Sequence, residues 1–365
     1  MADRVDTAPH GGTGARDGTG GHWAHCAIVS FRLGGADGVS VLAATWQRAL
    51  ADVGFTVRTV AGEGPVDVIV PGLAIGADAR PPSADELTRA FDGCRLVIVE
   101  NLLSIPMNLP ASRAVAAALR GRPALLHHHD PPWQRERYAQ ITELPPDDPA
   151  WAHVTINELT RREMAARGIA ATTIYNAFDT DEPAGDRDAT RAALGFAHDE
   201  LVVVHPVRAI ARKDVAAAVQ LAEALDATYW LSGPAEEGYG DELARILARA
   251  ATRVVHRSCD NRADLYAAAD LVAFPSLWEG FGNPPIEAAI HRRPAAVSDY
   301  PVAAELRAMG FRWFRPAEVA AMRGWLASPD VALLDHNADT ARANLSYPRM
   351  VERLRSLLLR QGWLP

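Results

Sequence analysis

The sequence predicts an α/β protein made of two doubly wound, Rossmann-like domains that face each other across a central cleft. Short, continuously apolar, β-branched runs alternate with amphipathic helical stretches, the pattern of parallel sheets covered on both faces. That alternation pauses once, at the acidic, loop-like "IYNAFDTDEPAGDRDAT" of residues 174–190, and then restarts. The length agrees, because 365 residues exceed one ordinary core and suit two.

Taken in order, the first 21 residues, "MADRVDTAPHGGTGARDGTGG", are polar and glycine-rich and read as a disordered tail without the apolar segment of a secretory signal. Residues 22–178 form the N-terminal domain. "CAIVSF" is a strand, followed after "RLGGADG" by the helix "VSVLAATWQRALADVG". The strands "FTVRTVAG", "VDVIVPGL", "RLVIVEN", "RPALLHHHD" and "HVTIN" follow, most of them separated by helices such as "SADELTRAF", "ASRAVAAALRG" and "ELTRREMAARG". Residues 179–345 form the second domain, with strands "LVVVHPVR", "TYWLSG", "RVVHRS", "LVAFPS" and "PAAVSD". Its helices are "DVAAAVQLAEALD", "YGDELARILARAA", "RADLYAAAD" and "PPIEAAIHR". In the tail 346–365, Met350, Leu354, Leu357 and Leu358 recur at helical spacing, so a final helix packs across the domain junction.

Composition excludes several classes. With 48% hydrophobic and 22% charged residues the chain is globular, not disordered. A net charge of −8 argues against nucleic acid or an anionic membrane as the main partner. No run reaches the roughly 18–20 apolar residues that span a bilayer. Three cysteines, Cys26, Cys94 and Cys259, show neither metal spacing nor a disulfide framework, which fits a reducing cytoplasm.

The segment "FPSLWEGFGNPPIEAAIHRRP", residues 274–294, carries the chemistry. Glu279 follows a strand, two glycines turn the chain, and Glu287 sits one turn into a helix. Asn283 is expected at the N-cap, with Pro284 and Pro285 in the first turn, where a missing N–H does no harm. Free amides from Gly280 to Gly282 and at the helix start would face the cleft and hold an anion. Two carboxylates beside an anion site suit the hydroxyls of a sugar and a ribose. Alone, the segment also admits a plainer reading, with Glu279 a surface acid and Glu287 a helix N-terminal charge.

It does not stand alone. Residues "GFGNPPIEA", preceded by Glu279, resemble the paired-glutamate signature of retaining glycosyltransferases of the GT-B architecture, most closely family GT4. "HPVRAIARKDV" resembles the family's strand-end loop with Arg208 and Lys213, and "SFRLGGADGVSV" its glycine-rich first loop. "LLHHHD" resembles a strand ending in a His-Asp pair, "IYNAFD" the interdomain crossover and "YPVAAEL" a following helix entry. These motifs cover most of residues 26–310 in the family's order.

The resemblance implies an enzyme that moves a hexose from a UDP- or GDP-type nucleotide sugar to a hydroxyl acceptor with retention. Catalytic roles fall on His129, Arg208, Lys213 and Glu279. Arg208 and Lys213 would clamp the donor diphosphate and neutralise its leaving charge. Glu279 would bind sugar hydroxyls and Glu287 the ribose. Amides around Phe281, Gly282 and Asn283 would position the donor, and Gly34 and Gly35 would let the opposite backbone approach its phosphates near Gly38. Glu100, Asn101, Asp130 and Trp133, with Asn108 and Arg135, are the acceptor-side candidates. Trp133 is read equally as a sugar-stacking platform or as core. No basic amphipathic helix marks these loops, so a soluble small-molecule acceptor is expected and peripheral membrane contact is not.

No cofactor and no metal are expected. Successive strand residues face opposite sides, so His127, His128 and His129 cannot all reach one ion. Lys213 is followed by Asp214 where the family has glycine, so Asp214 either opposes the diphosphate or caps the next helix. Ala177 replaces a glycine in the crossover. Two rivals stay open: a nucleotide-sugar epimerase of the same fold, and a non-catalytic nucleotide-sugar-binding subunit. Oligomeric state, donor base and acceptor are left open.

Overall fold

A computed structural model describes residues 25–35, 37–76 and 80–365; the expected tail 1–21 lies outside the described residues. Two parallel sheets carry the molecule. The first contains β1 (His25–Arg32), β2 (Thr56–Glu63), β3 (Val68–Ile69), β4 (Leu96–Glu100), β5 (Ala124–His128), β6 (Trp151–Thr155) and β7 (Ala171–Thr173). Their spatial order is β3-β2-β1-β4-β5-β6-β7. The second contains β8 (Val202–His205), β9 (Thr228–Leu231), β10 (Val254–His256), β11 (Leu271–Phe274) and β12 (Ala295–Val297), in the order β10-β9-β8-β11-β12.

These strands are parallel-sheet strands because both faces are buried. β4, β5, β8, β9 and β11 are buried along their whole length. Around the first sheet lie α1 (Gly38–Val53), α2 (Ala84–Ala90), α3 (Leu109–Leu119) and α4 (Glu158–Ala165). The second sheet carries α5 (Arg187–Leu194), α6 (Val215–Ala224), α7 (Gly240–Arg249), α8 (Arg262–Ala268), α9 (Asn283–Ile290) and α10 (Pro301–Met309). After them come α11 (Val319–Ala327), α12 (Val331–Leu345) and α13 (Tyr347–Gln361).

Strand order reverses between β1 and β4 in the first sheet and between β8 and β11 in the second. Ligands of open α/β sheets sit beyond the strand ends at such switch points. The loops after β1, β4, β8 and β11 are therefore the four that geometry nominates, and each contains residues singled out above.

Several elements depart from the sequence expectation. "VDVIVPGL" yields a two-residue strand, because Pro71 opens a 3-10 turn and has no N–H for the ladder. β7 was not anticipated, nor were α11 and α12. Helix α5 starts at Arg187, inside the segment read as loop, where Asp186 accepts from the Ala189 amide. Asn283 is not the N-cap of α9. Gly282 holds that position at φ +96°, a left-handed turn that asparagine would enter only with strain, and Asn283 is the first helical residue.

The last helix returns to the first domain. Met350, Leu354, Leu357 and Leu358 of α13 pack with Trp46, Leu50 and Ile28 in one apolar cluster. The chain crosses beside it: the Phe178 amide donates to Leu345 O at 2.9 Å, and the Tyr347 amide to Phe178 O at 3.0 Å.

Candidate active site

The loops after β8 and β11 are joined by an ion-pair knot. Lys213 Nζ donates to Glu279 Oε1 at 2.6 Å, and Arg212 NH1 donates to Glu279 Oε2 at 2.6 Å. Arg212 also donates to Trp278 O at 3.0 Å, and its own carbonyl accepts from the Leu277 amide at 2.9 Å. Lys213 and Glu279 are both buried. Burial pushes the Lys213 ammonium down, Glu279 opposes that, and Arg212 adds to it. Two cations face one carboxylate, so the knot carries an excess positive charge in a place with little water. That is a setting for an anion.

Sequence reasoning paired Lys213 with Arg208. Arg208 pairs with Glu236 Oε2 at 2.7 Å, with half its side chain exposed, and its charge still reaches Lys213 and lowers it. Arg212, next to Lys213 in "ARKD", takes the place beside it. Asp214 resolves as a cap: it sits at φ +49° and accepts from the Ala217 amide at 3.1 Å at the start of α6.

Eight residues after Glu279, Glu287 belongs to a second network. Its carboxylate accepts from Arg262 NH1 at 3.0 Å and from the Tyr266 hydroxyl at 2.7 Å. Arg262 continues to Glu182 at 2.7 Å. This network opens on a cavity of about 540 Å³ between the domains. From the C-terminal domain, Arg262, Asn283 and Glu287 line it; from the N-terminal domain, Gly34, Gly35 and Arg48 do. Ala177 and Phe178 of the crossover complete its wall. Arg208, Lys213 and Glu279 are not in that wall.

Phe281 is buried and stacks on Phe178, centroids 6.3 Å apart, so its ring holds the junction while its amide remains with the loop. Gly34 has φ +78°, and a Cβ there would stand 2.5 Å from Pro65, which explains its glycine. The start of α1 already carries an acid: Asp37 accepts from the Val39 and Ser40 amides at 3.1 and 3.2 Å. An anion approaching near Gly38 would have to displace that carboxylate.

The acceptor-side candidates gather at the ends of β4 and β5, where Glu100 and His127 stand in register. Glu100 is fully buried and accepts from His127 Nδ1 at 2.8 Å and from His129 Nε2 at 3.0 Å. Burial raises the Glu100 carboxyl; the charge and N–H of His127, then the N–H of His129, outweigh it and hold it down at about 2. His127 is itself pushed down by burial, partly offset by Glu100. The expectation from alternation is met for His128, which faces the other side, with Ser104 Oγ at 2.6 Å and His153 Nδ1 at 2.9 Å. His127 and His129, two apart, do converge, and the third member is Glu100. Asn101 Oδ1 accepts from the amides of His129 and Asp130, both at 3.1 Å, and Asp130 pairs with Arg135. Trp133 donates to Glu163 at 2.8 Å, and Arg167 covers its ring at 3.9 Å. One ring face is thus taken by Arg167, just past the end of α4. Asn108 caps α3 through the Ala111 amide at 3.1 Å.

The two sides touch. Asn157 Nδ2 donates to Gly280 O at 2.6 Å, and Arg135 lies over the Trp278 ring at 5.0 Å. A Cβ built on Gly280 would be 3.7 Å from His129 O. The Glu279 loop therefore abuts the His129 end of β5.

Sequence reasoning missed Arg212, Arg262 and Tyr266, and also Glu305, whose carboxylate accepts from the Glu158 and Leu159 amides of the other domain. Arg212 was visible as a second cation beside Lys213. The others lie on helices far along the chain, and only tertiary packing brings them in.

Two parallel-sheet domains closed over a cleft, with a paired-glutamate loop at the C-terminal switch point, define a GT-B glycosyltransferase. Residues 209–328 match the family model described as Glycosyl transferases group 1, so that stretch of the second domain carries the group's signature. The chain is similar to a mannosylglucosylglycerate synthase of Thermotoga maritima, 24% identical over an alignment of 348 residues that covers 76% of this chain and 81% of that protein. The Petrotoga mobilis protein of the same name is 23% identical, with 75% and 82% covered. Among solved structures, Anabaena Alr3699/HepE in complex with UDP and glucose superposes with a TM-score of 0.72 at 18% identity, covering 92% of this chain and all of that one. Sucrose-phosphate synthase of Thermosynechococcus elongatus gives 0.70 at 16% identity, with 93% and 99% covered. No helix among the described residues is long and apolar enough to cross a membrane.

Proposed function

We propose that this transferase takes a hexose from a nucleoside-diphosphate sugar and passes it, with retention, to a hydroxyl of a small soluble acceptor in the cytoplasm. The observation that carries the reading is the Arg212–Glu279–Lys213 knot, 2.6 Å on each side, set in the loop that abuts His129 across the cleft. A diphosphate entering there meets two cations with one carboxylate between them. It takes up the excess charge and frees Glu279 for sugar hydroxyls. Glu287, at the wall of the cavity, has the position and chemistry for ribose hydroxyls, with Arg262 and Tyr266 as its present partners. His129 commits Nε2 to Glu100 and has Nδ1 left for a ligand in the cleft.

Leaving-group charge is then met by side chains, and the departing phosphate oxygen accepts the acceptor's proton. Glu279 and Glu287 bind; neither acts as a glycosidase acid or base. The Anabaena neighbour, complexed with UDP and glucose, nominates UDP-glucose first. The two synthases, whose name describes a mannosylglucosylglycerate, add mannosyl donors and glycerate glucosides to the panel.

Calorimetry with UDP, GDP and ADP tests the division of roles. Lys213→Ala should weaken nucleoside-diphosphate binding by about tenfold or more, the loss of one charge-assisted phosphate contact. Glu279→Gln should lower turnover while leaving that affinity within a few-fold. Equal losses of diphosphate affinity in the two variants would refute the assignment. Proton NMR of the first product formed, read for anomeric configuration, decides retention.

A further inference from the structure

We infer that Glu100, His127 and His129 form a binding site for a transition-metal dication at the floor of the N-terminal domain's half of the cleft. Glu100 Oε2, His127 Nδ1 and His129 Nε2 stand 2.8, 3.0 and 3.2 Å from one another. Neighbouring ligands on a six-coordinate ion with bonds of about 2.1 Å are about 3.0 Å apart, and on a tetrahedral one about 3.4 Å. The three atoms already hold the spacing of one face of such a shell.

Hydrogen bonding alone accounts for the arrangement less well. Both imidazoles must donate to the same oxygen, which brings two N–H groups together at 3.2 Å. The twin oxygen, Glu100 Oε1, is buried and has no partner. A cation takes the lone pairs of both ring nitrogens, whose protons move to His127 Nε2 and His129 Nδ1; this removes the crowding of two N–H groups and gives the carboxylate a use for its second oxygen.

The supports are built in. Ser30 Oγ donates to the Glu100 carbonyl at 2.9 Å, Asn101 fixes the His129 amide, and Trp46 packs on the His127 ring at 4.3 Å. Two imidazoles and one carboxylate select zinc, iron(II) or cobalt(II) over magnesium or calcium. The positions left open on the ion would be reached past His129, whose side chain is 8% exposed. The site lies in the opposite domain from the Arg212–Lys213 knot, so it neither replaces nor depends on the cations proposed for the diphosphate.

The probe is cobalt(II), titrated into full-length protein stripped with chelator. One equivalent should bind, with visible d–d absorption that zinc abolishes by competition. Glu100→Gln and His129→Ala should each weaken binding at least tenfold. Unaltered affinity in both variants, or no binding at one equivalent in the wild type, overturns the site. Should either variant fail to fold, X-ray absorption at the zinc edge of the wild-type protein loaded with one equivalent decides. Two imidazoles and an oxygen support the site, and a shell of any other composition overturns it. Diphosphate calorimetry on metal-free protein gives a separate readout, so failure of the metal site and failure of the donor reading are told apart.

Discussion

At the residue scale, the turn into α9 turns on one missing methyl group. Gly282 sits at φ +96°, and a Cβ there would lie 2.3 Å from the Tyr300 hydroxyl, which is buried against Phe274. Gly280, two residues earlier, has nothing closer than 3.7 Å to a built Cβ. Gly282→Ala should therefore cost about 1–3 kcal/mol in urea unfolding and displace the Glu287 helix, with loss of turnover. Gly280→Ala should cost under about 1 kcal/mol. A larger penalty at Gly280 than at Gly282 would contradict this account of the loop. The same scale explains why Glu279 tolerates burial: each of its oxygens has its own cation at 2.6 Å.

At the element scale, the two domains are held by a helix cap supplied from the other side of the cleft. Helix α4 begins after Asn157, whose Oδ1 accepts from the Thr160 amide at 2.6 Å. The two amides before that are met by Glu305 of α10, which accepts from Glu158 N at 2.8 Å and Leu159 N at 3.1 Å. The Tyr175 hydroxyl adds a third donor to Glu305 at 2.8 Å. A carboxylate at a helix N-terminus gains from the first-turn amides and the helix dipole. Because donor and acceptor lie in different domains, the cap stabilises the closed cleft. Glu305→Ala should lower stability by about 1–2 kcal/mol and widen the cleft. Small-angle scattering checks the second effect through an increased radius of gyration, and an unchanged radius would show that other contacts hold closure. Asn157 to Gly280 is the contact best placed to do so.

At the scale of the whole molecule, buried histidines set the acid response. Burial pushes His205 down to about 3, with Lys213 adding to it, and holds His128 well below its ordinary value; His153 is also lowered, chiefly by burial. These rings stay neutral in the folded protein while the unfolded chain protonates them near pH 6.5. Below that pH the unfolded state binds more protons, so stability falls as pH drops from about 6.5 towards 3. Each such imidazole contributes a slope of about 1.4 kcal/mol per pH unit. Glu100, held at about 2, adds a second loss as pH falls from its ordinary range towards that value. Urea unfolding at pH 7.5, 6 and 5 should show a steep decline, and His205→Gln should flatten it by one proton's worth. A stability that is flat over this range would mean that these rings titrate normally.

The alternation of apolar runs and amphipathic helices was enough to place both sheets, because a strand buried on both faces reads as a nearly continuous apolar run. The paired-glutamate segment was legible for a related reason: glycine and proline mark backbone positions that few other residues fit. Lys213 and Glu279 were both named from their loops, yet their 2.6 Å contact and the entry of Arg212 were not legible. Loops from two strands, 66 residues apart in the chain, meet only once β8 and β11 are neighbours. The same holds for Glu100, named as acceptor lining from its place in the chain, whose pairing with His127 follows only from the β4–β5 register. By itself the sequence determined the layers, the strand-end loops and the kinds of side chain that chemistry there requires. Only the tertiary structure decided which charge meets which, because side-chain pairing follows the register and order of strands, and local pattern encodes neither.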